Sequence, residues 1–181
     1  MRRPQIGVIG STSDLNYEKN VEEIAERVGE LIAEKGGTLF FGAEKHHDSL
    51  STAACRGAKK KGGLTIGITH SMDKEVWGKD MDVVVATGSG KGGGREFVLI
   101  LCCDAVIAIG GGSGTLTEMA VAYQAGIPVI AINGTGGWSN RLAGQHLDER
   151  KRLIIETAET PEEAVEFAFK KANETNGNGS H

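Results

Sequence analysis

The chain has few of the residues that would mark it as secreted, membrane-spanning or built to grip nucleic acid. Three cysteines in 181 residues, two of them adjacent at Cys102 and Cys103, give neither a disulfide framework nor the spacing of a metal site, so a reducing compartment is expected. No apolar run approaches the roughly 20 residues of a membrane span, and no secretory segment opens the chain. The expected location is the cytoplasm, with no membrane partner. Basic residues are in deficit: 20 Lys and Arg against 24 Asp and Glu give a net charge of −4, with no basic stripe. That argues against a nucleic-acid polymer and leaves room for a local small-anion site. With only 3 prolines, the turns fall to glycine, of which there are 27.

A length of 181 residues suits one core, so a single domain over residues 1–172 is expected. From Asn173 the sequence NETNGNGSH has no apolar periodicity. Residues 173–181 read as a flexible tail, and Gly179, Ser180 and His181 look like a tag remnant.

The most informative stretch is DAVIAIGGGSGTLTE, from Asp104 to Glu118. The apolar run Ala105 to Ile109 has the pattern of a buried parallel strand, and the glycines after it lead into a helix. Such a turn aims free backbone N–H groups at one point and makes an anion site, with phosphate the expected anion. Ser113 and Thr115 can add hydroxyls, Thr115 can cap the helix, and Glu118 lies about one turn in, within reach of a sugar hydroxyl. No lysine stands where a Walker A loop needs one. A purely structural tight turn is the competing reading.

The rest of the chain alternates strand and helix. Gln5 to Ile9 is a first strand ending at Gly10 and Ser11, and an amphipathic helix follows from about Asn16 to Lys35. Strands are expected at Thr38 to Phe41, Leu64 to Ile68, Met81 to Thr87, Ile127 to Ile132 and Leu153 to Glu156. Helices are expected over 50–61, 97–103 and 141–152, after Gly114, and from Pro161, where Thr160 is a good cap. This is an α/β chain of Rossmann-like type: an open parallel sheet with helices on both faces, in three layers. Ligands of such sheets bind at the carboxyl ends of the strands, where Gly10 to Ser13, Gly42 to Asp48, Gly88 to Arg95 and Gly110 to Thr115 all fall.

Arg95 offers a permanently charged donor fork for phosphate or a leaving group, against a plain salt bridge; Glu118 offers a carboxylate, against a helix-start acid. Gly88 to Gly94 reads equally as a lid or as a second phosphate nest. His46, His47 and Asp48 lack a third ligand and read as a polar turn, so no metal site is expected. Cys102 and Cys103 read as core packing without a histidine partner, and Trp138 as cover for a ligand or an interface.

GGREF at 93–97 followed by the glycine stretch resembles the LOG family, some of whose members are cytokinin riboside 5'-monophosphate phosphoribohydrolases. The chain is most similar to a short branch of unknown function that also resembles molybdenum cofactor carrier proteins. The family motif PGGxGTxxE is matched at Gly111, Gly112, Gly114, Thr115 and Glu118, with Gly110 in place of its proline. The upstream arginine corresponds to Arg95, with Glu96 where a lysine is usual. The resemblance implies catalytic roles for Arg95 and Glu118 in cleaving an N-glycosidic bond. It implies a phosphate or nucleotide site at Gly111, Gly112, Gly114 and Thr115, to which the Ser113 hydroxyl and, at the shared sheet edge, Gly10 and Ser11 are expected to contribute. It also implies a homodimer, and a nucleoside monophosphate or a phosphorylated pterin as small-molecule partner. No cofactor is implied, and no lysine environment suits pyridoxal phosphate. AEKHHDSLSTAACRGA at 43–58 departs from the family's glycine-rich segment and changes the charge of that wall.

Overall fold

The computed structural model describes residues 2–177. Seven strands form one parallel sheet in the order β4-β3-β2-β1-β5-β6-β7: β1 Gln5–Gly10, β2 Thr38–Gly42, β3 Leu64–Thr69, β4 Val83–Ala86, β5 Ala105–Ile109, β6 Val129–Ile132 and β7 Glu156–Ala158. Strand order reverses between β1 and β5, which pair from Ile6 with Ala105 to Gly10 with Ile109. The reversal makes the crevice between their carboxyl ends the natural ligand position.

Burial explains why β5 reads as an unbroken apolar run. Ala105, Ile107 and Ile109 face one hydrophobic core, which also holds α1 (Lys19–Glu34), α2 (Leu50–Lys60) and α6 (Pro161–Gly177). Val106 and Ala108 face a second core with α3 (Arg95–Leu101) and α4 (Ser113–Ala125), and Trp138 and Leu142 of α5 (Gly137–Leu142) pack against it. A strand covered on both faces has no polar side.

On the α1–α2 side, glycine sets the helix separation. A Cβ at Gly29 would collide with the carbonyl of Ala54, and one at Gly57 with that of Glu26, so the two helices meet backbone to backbone. The α2 start is fixed by Ser49, whose side chain accepts from the Thr52 amide at 3.0 Å, and the α6 start by Thr160, which accepts from Glu163 at 3.1 Å.

Several boundaries differ from the sequence expectation. The last strand is Glu156–Ala158, pairing with Ile130–Ile132, rather than Leu153 to Glu156. Leu153 and Ile155 are apolar because they pack against the second core, not because they join the sheet. The fifth helix spans Gly137–Leu142 and meets the expected 141–152 helix only at Arg141 and Leu142. Cys103 is buried with its thiol 3.1 Å from the Leu99 carbonyl, but Cys102 is exposed and packs into neither core. In place of a loose end from Asn173, α6 continues to Gly177; the remainder of the expected tail, including Gly179 to His181, lies outside the described residues.

Candidate functional site

Three strand ends and the start of α4 enclose a cleft of about 220 Å³. Gly10 and Thr12 come from the end of β1, Gly42 and Glu44 from that of β2, and Gly112 to Thr115 from the turn after β5; Arg95 and Glu118 reach in from α3 and α4. Of the residues assigned a role from sequence, Gly10, Arg95, Gly112, Ser113, Gly114, Thr115 and Glu118 line this cleft. Ser11 and Gly111 line an adjoining recess instead. Gly88 to Gly94 stays outside both, its Gly88 and Gly90 amides donating to the carbonyls of Ser71 and His70.

Side-chain hydroxyls build the glycine turn. The Gly111 amide donates to Ser11 Oγ at 2.7 Å, and the Gly110 amide to Thr135 Oγ1 at 2.9 Å. Gly110 and Gly111 have φ of +64° and +104°, backbone that other residues rarely adopt. Ser11 is thus consumed in holding the turn. Thr115 does not cap the helix, because α4 begins at Ser113 behind Gly112; the Thr115 hydroxyl reaches back 3.3 Å to the Gly10 carbonyl.

With no side-chain cap, the first backbone bond at this end runs from the Leu116 amide to the Gly112 carbonyl. Among the described residues the amides of Ser113, Gly114 and Thr115 have no acceptor, and all three residues line the cleft with the positive end of the helix dipole behind them. This arrangement suits an anion.

The opposite wall is acidic. Arg95 Nη2 lies 3.2 Å from Glu44 Oε1 and 3.7 Å from Glu96 Oε1, and His70 Nε2 lies 3.3 Å from Glu44 Oε2. Arg95 Nε and His70 Nδ1 are buried without a hydrogen-bond partner among the described residues. A Cβ at Gly42 would collide with Arg95 Nη1, so glycine at the end of β2 is what lets the guanidinium lie across it.

Glu118 is 5% exposed. Burial pushes its carboxyl up to about 7, Arg95 opposes that shift, and the Glu96 and Glu44 carboxylates add to it. The group is poised to hold or release a proton near neutrality.

Glu44 and His70 escaped the sequence reading. The available signal was position alone: His70 directly follows β3 and Glu44 stands two residues past β2, both at the ligand edge. His46 and His47 are exposed, and Asp48 grips Arg56 Nη1 at 2.9 and 3.0 Å. No group of metal-ligating side chains occurs among the described residues, and no described helix is long and apolar enough to cross a membrane.

Comparison with known proteins identifies relatives of the whole fold. An uncharacterised protein of Archaeoglobus fulgidus is 34% identical over 172 residues, spanning 93% of this chain and 97% of its own. The structure of the molybdenum cofactor binding protein of Rippkaea orientalis superposes with a TM-score of 0.80 at 32% identity, covering 94% of this chain and 98% of that one. The molybdenum cofactor carrier protein of Chlamydomonas reinhardtii gives 0.79 at 26% identity, covering 94% and 99%. Residues 3–165 match the SLOG cluster4 family, and the chain belongs to that family.

Proposed function

We propose that the protein binds a phosphorylated small molecule, with its phosphate on the Gly112 to Thr115 turn, and serves as a carrier or sensor of a phosphorylated pterin of the molybdenum cofactor type. The observation that carries this reading is the Arg95–Glu44 pair at 3.2 Å. Glu44, an acid from the segment that departs from the LOG pattern, stands against the arginine that a LOG-type hydrolase would turn to its substrate or leaving group. The likeness to a molybdenum cofactor binding protein and a carrier, over more than nine-tenths of the chain, supports the same reading.

Hydrolysis of the N-glycosidic bond of a purine nucleoside 5'-monophosphate is the second reading, favoured by Glu118 with its carboxyl at about 7. In that mechanism Glu118 activates water beside the anomeric carbon, and Arg95 positions the leaving base. Incubation with AMP and related monophosphates separates the two. Saturable binding without turnover supports the carrier; released base with ribose 5-phosphate supports the enzyme.

The reading includes a homodimer in the cytoplasm. Val83 and Val85 on edge strand β4 are exposed, as are Phe97, Val98 and Leu101 on α3. Both valines stand in register with Ile66 and Ile68 on the sheet face that α3 covers only in part. A second copy packed there would remove this apolar surface from water.

A further inference from the structure

The Gly111–Gly112 turn separates two recesses, and the second is the roomier, at about 510 Å³. Leu15 and Gly112 wall both; Tyr17, Trp138 and Arg141 belong to the second alone. Its lining differs from that of the first. Where the cleft presents Glu44 and Glu118 around Arg95, this recess has Glu18 as its acid and presents an aromatic surface with the Arg141 guanidinium stacked 4.9 Å from the Trp138 ring centroid.

Trp138 is fixed against the phosphate turn by backbone contacts. The Trp138 amide donates to the Gly111 carbonyl at 3.0 Å and the Ser139 amide to that of Gly110 at 2.9 Å. A Cβ at Gly137 would collide with the Gly111 carbonyl, so glycine is required for this approach. The flat surface is therefore preorganised relative to the orphan amides of α4, without cost to a ligand that uses both.

We propose that the Trp138 recess is the second half of the ligand site and takes the bicyclic heteroaromatic ring of a phosphate ester whose phosphate lies on the Gly112 to Thr115 turn. The inference rests on the phosphate reading of that turn and goes beyond it by placing the ring. The wall of the cleft facing the turn is polar and charged, with Glu44, Arg95 and Glu118, and offers a ring no aromatic surface. On the other side of Gly112 a ring meets an aromatic face and a planar cation suited to stacking.

The chain has two tryptophans, so Trp77→Phe leaves Trp138 as the only indole reporter. Its fluorescence should be quenched saturably by GMP or by 6-hydroxymethylpterin monophosphate, and far less by ribose 5-phosphate or inorganic phosphate. The tighter of the two ring-bearing probes tells a nucleotide site from a pterin site. In equilibrium dialysis, Trp138→Ala should weaken that probe about tenfold, the usual scale for losing one stacking platform. Arg141→Ala should weaken it similarly, Trp138→Phe should restore most of the binding, and inorganic phosphate affinity should stay unchanged throughout. If wild type binds inorganic phosphate but no ring-bearing probe more tightly than ribose 5-phosphate, the ring placement is overturned and the phosphate site stands. Ring-bearing probes that bind Trp138→Ala and Arg141→Ala as tightly as wild type overturn it as well. Absence of all binding by wild type overturns both.

Discussion

Glu44 Oε1 lies 3.2 Å from Arg95 Nη2, so an acid just past β2 holds the guanidinium at the first residue of α3. The Glu44 charge also raises the Glu118 carboxyl. Glu44→Gln should therefore move the Glu118 midpoint down from about 7, towards the ordinary carboxylate range. Carboxyl-carbon NMR reads this directly, and an unmoved midpoint would break the proposed coupling.

The same group makes stability depend on pH. The folded-state value of about 7 stands above the ordinary 4.5, so between these limits the folded state binds more protons than the unfolded chain. The contribution is whole below about 4.5 and is lost as pH rises to about 7. Glu118→Gln removes the titration. Relative to wild type, the variant should gain stability across this window, by roughly 3 kcal/mol at most, and level off above it. Urea melts from pH 4 to pH 8 test this; a constant difference between the proteins contradicts it.

The glycine turn and the helix pair should respond differently to added or removed atoms. Ser11→Ala strands the buried Gly111 amide and should cost about 1–3 kcal/mol while weakening phosphate binding. Gly29→Ala drives a methyl into the Ala54 carbonyl, a backbone atom that cannot swing away, and should cost about 3 kcal/mol or more. Its effect on binding should follow stability alone. Chemical denaturation paired with phosphate titration distinguishes them.

Much of this was legible because the fold writes itself into local patterns. Two-sided burial leaves β5 without a polar residue, and the reversal beside it leaves the glycines of 110–114. Thr160 and Glu163 marked the α6 start. The Leu153–Ile155 run was misplaced because apolarity reports burial rather than strand pairing. The helix expected at 141–152 begins instead at Gly137, where positive φ at Gly136 and Gly137 and the close approach of Gly137 to Gly111 start α5. Position past a strand end marked Glu44 and His70 only as edge residues, and the contacts that join Glu44 to Arg95 and to His70 could not be read because they depend on which strands become neighbours.

The proposed dimer predicts association through the α3 face. Leu101, 60% exposed, would lie in that contact. Wild type should scatter light as a dimer at micromolar concentration and Leu101→Asp as a folded monomer. A monomeric wild type would reject this interface.

The central claim is that the orphan amides at the start of α4 hold the ligand's phosphate. A Cβ at Gly114 would meet no protein atom within 4 Å, and the residue lines the cleft, so Gly114→Val puts its side chain where the phosphate should sit without disturbing the packing. Calorimetric titration of both proteins with inorganic phosphate and with GMP, beside their circular dichroism spectra, is the decisive measurement. The account predicts superimposable spectra and at least a tenfold loss of affinity for both ligands in the variant. Equal affinity in the two proteins would contradict it.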